Sequence, residues 1–399
     1  MDPISRRISE LATRVASIQR RGIYPYLQPV AAIDGAHVTI GGRRMLLASS
    51  YSYLGLLGDP RITAAAQEAL ACYGTGTHGV RLLAGNTDLH DRAEERIARF
   101  VGAEACVLYS SGYLANFAAI SALVGRNDVV ICDKLNHASI VDGCLLSGAR
   151  FVRVPHNDMT AFDRALAGVP EGVGRLVVVD AVFSMDGDVI NLPALTEICR
   201  RHGAWLMVDE SHSLGVLGPR GEGIEAHFCL PGVIDIKMSS VSKSIPSAGG
   251  YIAGRRDLIT FLKHASRAFV FSAALPPASA AAVMAALDVM EAEPHRVARL
   301  RAHVRRLRGA LRAGGISVRD DPTPIIPVIV GDDERAWHLT HLLDERGIFV
   351  LPIVPPAVPP STSRLRVTVT AAHSEQEVDA IAAALLAAWR EVALAPAEG

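Results

Sequence analysis

The sequence predicts an α/β fold: a large domain on a seven-stranded, mostly parallel sheet covered on both faces, then a smaller C-terminal α+β domain. Three observations carry this expectation. Seven short apolar, β-branched runs alternate with helix-like stretches between residues 105 and 254. Each is apolar almost throughout, as strands buried on both faces are. From about Glu291 the texture changes to long amphipathic helices separated by a proline-rich stretch.

In chain order, "MDPISRRISELATRVASIQRRG" reads as an amphipathic helix and lacks the apolar core of a signal peptide. It opens an N-terminal arm, 1–55. The large domain, 56–290, holds the runs "ACVLYS" (105–110), "VVICD" (129–133), "ARFVRV" (149–154), "RLVVVDAVFS" (175–184), "AWLMVDES" (204–211), "VIDIKMSS" (233–240) and "GGYIAG" (249–254). "LPALTEICRRHG" (192–203) is a helix with a glycine stop. "ASAAAVMAALDVM" (278–290) follows a Pro-Pro pair and reads as a buried helix. The small domain, 291–399, begins with the basic helix "HRVARLRAHVRRLRGALRAGG", passes through "LPIVPPAVPPSTSRLRVTVTAAH" and closes with "SEQEVDAIAAALLAAWREV". The basic helix reads as a solvated face, with polyanion binding as the alternative.

The 399 residues are 50% hydrophobic, enough for a large core, and no apolar run reaches the length of about 18 residues that a membrane span needs. Lys plus Arg total 40 against 41 Asp plus Glu, which argues against a nucleic-acid binder with a basic face. Cys72, Cys106, Cys132, Cys144, Cys199 and Cys229 form no C-x-x-C pair and read as reduced, mostly buried thiols of a cytoplasmic protein.

Ligand groups in open α/β sheets gather at the carboxyl ends of strands. The run ending "VDESH" places Asp209 and His212 at such an end, and Lys243, in "SSVSKS", follows the next run. Taken singly, each has a bland reading: a structural ion pair, a serine-rich turn, a loop histidine. Together they match what pyridoxal phosphate requires. A lysine forms the Schiff base, a carboxylate faces the pyridine nitrogen, and backbone N–H groups at a helix N-terminus cup the phosphate. "SSGYLANFAAISAL" supplies such a cup, where Gly112 lets backbone approach closely. Ser240 adds a hydroxyl, and His137, in "NHAS", follows another strand where an imidazole could stack.

At this point the chain resembles the α-oxoamine synthase family of fold-type I pyridoxal-phosphate enzymes. The resemblance runs over roughly 350 residues. It is carried in order by "YLGL", "GTHGVRLLAG", "LH", "SSGYLAN", "NHASIVDG", "VFSMDGD", "VDESHSLGVLGPRGEG", "SKSIPSAGGYIAG", "FVFSAALPP" and "RLRVTVTAAH". It implies that Lys243 is the Schiff-base lysine, Asp209 the pyridinium partner and His137 the stacking ring. It implies that His212 bonds the phenolic oxygen and helps polarise the substrate, and that Ser184 lies beside that oxygen. Ser111, Gly112, Tyr113 and Ser240 would hold the phosphate, joined by Ser272 and Ala273 from a neighbouring subunit. Arg366 would fork onto the amino acid's carboxylate, a task suited to guanidinium.

Two positions depart from the family pattern. Tyr51, in "SYSYLG", stands where the resemblance implies an asparagine that helps hold the amino acid's carboxylate, so Tyr51 joins Arg366 and His137 as substrate-binding residues; Ala357, in "PPAVP", stands where many members carry threonine. The implied activity is condensation of an α-amino acid with an acyl thioester, on coenzyme A or a carrier protein, with loss of carbon dioxide. It would be carried out by a cytoplasmic homodimer with shared active sites, without metal, membrane span or nucleic acid. The alternatives are a fold-type I aminotransferase, a family member running a different carbanion reaction, and a cofactor-binding regulator without catalysis.

Overall fold

The chain enters through a helix, Pro3–Arg20, and three antiparallel strands, β1 (Val30–Asp34), β2 (His37–Ile40) and β3 (Arg43–Leu47). Asp2 caps that helix, accepting from the N–H groups of Ile4 and Ser5, and none of its residues is buried. The computed structural model describes residues 1–22 and 24–394. Ile23 of the expected arm and residues 395–399 of the expected small domain lie outside the described residues.

All seven apolar runs contribute to one sheet: β4 (Ala105–Tyr109), β5 (Val129–Asp133), β6 (Arg150–Val154), β7 (Arg175–Asp180), β8 (Trp205–Asp209), β9 (Ile236–Ser240) and β10 (Gly250–Gly254), in the order β4-β10-β9-β8-β7-β5-β6. The pairs β6/β5, β5/β7, β7/β8 and β8/β9 are parallel. β10 runs antiparallel to both β9 and β4. The connection 241–249 is too short for the dozen or more residues of a parallel crossover, so the chain turns back on itself there. Alternate residues serve opposite faces. Leu176 and Val178 of β7 pack into one apolar cluster, Val177 and Val179 into the other.

Three runs are shorter as strands than as apolar stretches by more than one residue. The run 175–184 stops at Asp180, and the backbone then folds into a hairpin closed by the Val182–Val189 bridge. The run 204–211 stops at Asp209, and 233–240 becomes strand only at Ile236. In each case the end is set by polar groups or turn residues that hydrophobicity alone does not register. The helix Leu192–His202 ends at Gly203, which takes the left-handed conformation at φ 60°. The helix Pro277–Ala292 is buried along Ala280–Met290, as its composition predicts.

Beyond it lie the helix His295–Ala313, β11 (Ile325–Gly331), the helix Asp333–Glu345, β12 (Ile348–Phe349), β13 (Pro352–Ile353), β14 (Ser363–Thr368) and the helix Glu375–Leu394. β11, β14 and β13 form an antiparallel sheet, while β12 pairs in parallel with β3, tying the N-terminal strands to this part of the chain. The basic helix is not a simple solvated face. Val297, Leu300, Val304, Leu307 and Leu311 pack inward, Arg308 is buried and donates to the carbonyls of Thr323 and Ile325, and Arg306 pairs with Glu375 and Asp379. Cys72 and Cys229 are exposed and the other four cysteines buried, all as free thiols. Among the described residues no helix is long and apolar enough to cross a membrane.

Candidate active site

Five strand ends converge on one cavity of about 220 Å³. β4 leads into it through Ser111, which caps the helix Gly112–Leu123 by accepting from Leu114 N–H at 3.1 Å. That cap leaves free N–H groups at the helix start, pointing at the cavity where an anion is favoured. The close approach depends on glycine. A Cβ on Gly112 would stand 2.7 Å from the Ser240 Cβ, and one on Gly250 would stand 2.5 Å from the Gly112 Cα. On the other side of this crossing, Ser240 and Ser242 share a 2.6 Å hydroxyl contact.

β8 delivers Asp209. One carboxylate oxygen accepts from Ser211 N–H at 2.8 Å and the other from Asn116 Nδ2 at 2.7 Å. The carboxylate is buried yet held in place by two donors, so it is presented to the cavity as a fixed acceptor. β5 leads to His137, which caps the helix Ala138–Ser147. Its Nδ1 meets the Ser139 hydroxyl at 2.7 Å, and its backbone N–H donates to Asp180 at 2.9 Å. Burial pushes the His137 ring below its ordinary pKa, and Lys243 adds to this against the pull of Asp209.

Lys243 sits in the short β9–β10 turn among the cavity-lining residues. Burial lowers its pKa, opposed by Asp209 and Asp180 and reinforced by Arg366. His212 is buried, and that burial, with Lys243, Arg366 and His137 nearby, holds it neutral, well below the usual histidine range. Its Nδ1 lies 2.7 Å from the Tyr53 hydroxyl, which also accepts from Arg366 Nη2 at 3.3 Å. With Arg366 supplying a proton to that oxygen, Tyr53 directs its own O–H at Nδ1. The ring proton then sits on Nε2, the nitrogen with no hydrogen-bond partner among the described residues.

Arg366, on β14, is buried and reaches across to the 181–190 hairpin, where its Nε donates to the Ser184 carbonyl at 2.6 Å. Its guanidinium carbon lies 4.7 Å from the centre of the Tyr51 ring. Nε and one Nη2 proton are thus engaged, which leaves the terminal Nη1/Nη2 edge available for a carboxylate.

The structure therefore brings Ser111, Gly112, Tyr113, His137, Ser184, Asp209, His212, Ser240 and Lys243 to one cavity, with Arg366 and Tyr51 against His212 and Ser184 at its side. Tyr113 is there by its ring and backbone. The residue is exposed and its hydroxyl donates to Asp142, so the hydroxyl is not what faces the cavity. Ser272 and Ala273 do not line it. Ala273 bridges to Val80, beside the exposed Phe271. Ala357 lies in the loop between β13 and β14 and is exposed. Sequence reasoning missed Asn116, Asp180, Ser242 and Tyr53. Asn116 is four residues after Gly112, on the same helical face, and Asp180 is the register partner of Asp209 across β7 and β8.

These residues fit pyridoxal phosphate: an anion cradle at the helix start, a fixed carboxylate across the cavity, and a buried lysine between them. The fold and site define a pyridoxal-phosphate enzyme of fold type I. A family model described as aminotransferase class I and II matches residues 44–385. An 8-amino-7-oxononanoate synthase of Geobacter sulfurreducens is 44% identical over 387 residues, covering 96% of this chain and 99% of its own. A serine palmitoyltransferase of Sphingobacterium spiritivorum is 40% identical over 376 residues, 94% of each chain. Among solved structures, the serine palmitoyltransferase of Sphingomonas wittichii superposes with a TM-score of 0.95 at 32% identity, over 99% of this chain and all of its own. A serine palmitoyltransferase with its pyridoxal-phosphate internal aldimine matches at the same TM-score, with 31% identity and the same coverage. The chain belongs to the aminotransferase class I and II family, in its α-oxoamine synthase branch of pyridoxal-phosphate-dependent acyltransferases.

Proposed function

We propose that this enzyme joins an α-amino acid to the acyl group of a thioester, releasing carbon dioxide and a thiol and yielding an α-amino ketone. The observation that supports this most is the shared cavity of Lys243, Asp209, His137 and neutral His212, with the terminal edge of Arg366 open beside it.

Bound pyridoxal phosphate supplies an aldehyde for the amine and a ring that stores the electron pair released at Cα. Asp209, fixed by Asn116 and Ser211, would face the pyridine nitrogen and keep it protonated. His137 would stack on the ring, and the Gly112 helix start with Ser111, Ser240 and the backbone of Tyr113 would hold the phosphate. Ser184 would lie beside the phenolic oxygen, and Lys243 would hold the aldehyde. The desolvated Nζ of Lys243, once free, would take the Cα proton of the amino acid. Arg366 holds the carboxylate through Nη1 and Nη2. The new carbon–carbon bond forms at the thioester carbonyl as the carbon–sulfur bond breaks. His212 donates from Nε2 to the oxygen that gains charge. The bond to the carboxylate then breaks, carbon dioxide leaves, and a proton returns to Cα.

The proposal extends to assembly. Leu83 and Phe271 are 83% and 75% exposed, on two segments joined by the Val80–Ala273 bridge, and Ser272, next to Phe271 in the chain, is not among the residues lining its own chain's cavity. A second copy covering this apolar patch would bring Ser272 and Ala273 to its neighbour's phosphate, making a homodimer with shared sites. We place the enzyme in the cytoplasm, with an arm at 1–55, a cofactor domain at 56–290 and a small domain at 291–399.

The test is stoichiometry. The cofactor-loaded protein, given glycine, alanine or serine with an acyl-coenzyme A or an acyl-carrier protein, should release carbon dioxide and free thiol in equal amounts. Formation of a 2-oxo acid without thiol release would make it an aminotransferase instead.

A further inference from the structure

Away from the cavity, His156 stands between two buried carboxylates. Its Nδ1 lies 3.1 Å from Asp133, at the end of β5, and its Nε2 lies 2.8 Å from Asp188, on the returning arm of the 181–190 hairpin. The two carboxylates are 0% and 2% exposed. A neutral imidazole can donate from only one nitrogen, so bridging two ionised carboxylates requires the imidazolium. Its ring packs edge-on against Phe183 of the same hairpin, with centroids 4.4 Å apart. The next residue, Asn157, donates to the Val189 carbonyl and accepts from Asn191 N–H, so two consecutive side chains hold this hairpin.

What the hairpin carries gives the arrangement its purpose. The N–H groups of Phe183 and Gly187 close it internally, onto the carbonyls of Asp188 and Phe183. Its tip presents the Ser184 carbonyl to Arg366, and Met185 and Asp186 to Arg364. The Asp133 carboxylate also accepts from Leu135 N–H at 2.8 Å and so shapes the turn that ends in His137. Other charges facing this cluster are Arg319, 3.8 Å from Asp188, Asp321, which Arg319 also pairs with, and Asp180, whose carboxylate repels that of Asp133.

We propose that His156 is a positioning residue for the amino-acid carboxylate: by clamping Asp188 it fixes the hairpin whose Ser184 carbonyl aims the Arg366 guanidinium. This rests on the reading of Arg366 as the carboxylate anchor.

Two near-isosteric variants separate the halves of the clamp. Glutamine can place an amide where Nε2 stands, keeping a donor to Asp188. Asparagine can place one where Nδ1 stands, keeping Asp133 and releasing the hairpin. In the cofactor-loaded dimer or monomer, as purified, His156→Asn should weaken amino-acid binding about tenfold, the scale of a displaced charge-assisted hydrogen bond. Binding is read by titrating serine and alanine against the cofactor's visible spectrum, with no thioester present. Amide hydrogen exchange at Phe183 and Gly187 should speed up in the same variant, and His156→Gln should stay near wild type in both measurements. Equal behaviour of the two variants, or unchanged exchange in His156→Asn, overturns the clamp. Faster exchange with unchanged amino-acid affinity overturns its link to Arg366. Failure of the wild-type enzyme to bind any amino acid would count against the reading of Arg366 and the proposed function, while the exchange measurement still decides the clamp.

Discussion

The guanidinium of Arg366 lies against the face of Tyr51, 4.7 Å from the ring centre, and the same ring is 5.8 Å from that of His212. Tyr51 therefore touches both the group assigned to the carboxylate and the group assigned to the thioester oxygen. A cation over an aromatic face is attracted by about 0.5–2 kcal/mol depending on solvation. That attraction covers one face of the guanidinium and confines its partner to the terminal edge.

Replacing Tyr51 by asparagine removes this cover and restores the residue more usual at that position. Tyr51→Asn should change the ranking of glycine, alanine and serine in kcat/KM with one fixed thioester, by about tenfold between best and worst. The reason is local: the ring occupies the volume beside Arg366 into which an amino-acid side chain or carboxylate would swing. Arg366→Ala should instead weaken all three together. An unchanged ranking in Tyr51→Asn would reduce Tyr51 to a packing residue.

Lys243→Ala should abolish covalent retention of pyridoxal phosphate after borohydride reduction and denaturation, because no other lysine lines the cavity among the described residues. Mass spectrometry of the reduced protein reads this directly. The variant should still bind the cofactor, since the phosphate cradle and the Asp209–Asn116 pair are untouched. A reduced adduct persisting in the variant would assign the imine to another residue.

Much of this site was legible because its chemistry ends hydrophobic runs. Asp209 falls at the end of the run 204–211, His212 directly after it, and Lys243 after 233–240, so a strand reading and a polar tip were enough. Asn116, Asp180 and Tyr53 were not legible for a different reason. The Asp180–Asp209 register depends on β7 and β8 being neighbours, which follows from sheet order and not from local pattern. The Tyr53–His212 bond joins residues 159 apart in sequence. The hairpin after Asp180 was hidden because "AVFS" continues the apolar run, and only the Val182–Val189 pairing shows that the backbone has turned.

Gly112→Ala sets two effects against each other. Within a helix, alanine is ordinarily favoured over glycine by about 1 kcal/mol. Here the new Cβ would meet the Ser240 Cβ at 2.7 Å, and overpacking of this kind typically costs about 1–3 kcal/mol. Overpacking should prevail, lowering Tm by a few degrees. It should also weaken cofactor binding, because relief requires the helix start to move away from β9 where the two sides of the phosphate cradle meet. Calorimetry and cofactor titration check both. A more stable variant with unchanged cofactor affinity would show that the crossing has slack.

The His156 cluster sets a pH dependence of stability. Burial acts to lower the pKa of this imidazole, but the hydrogen bonds to Asp133 and Asp188 outweigh it and raise the value to about 9. In the unfolded chain it titrates near 6.5, an ordinary value. A pKa raised on folding gives stability that is fully present below the unfolded value, shrinks as pH rises between the two, and is lost above the folded one. The enzyme should therefore lose stability progressively from about pH 6.5 to pH 9, as Asp133 and Asp188 come to face a neutral ring that can serve only one of them. His156→Gln has no titrating group there, so its stability should be lower at pH 6.5 and its curve flatter across the same interval. Denaturant unfolding at half-unit pH steps, compared between the two proteins, measures the difference. Parallel curves would mean that His156 keeps one charge state throughout and that the bridge is made by a single hydrogen bond.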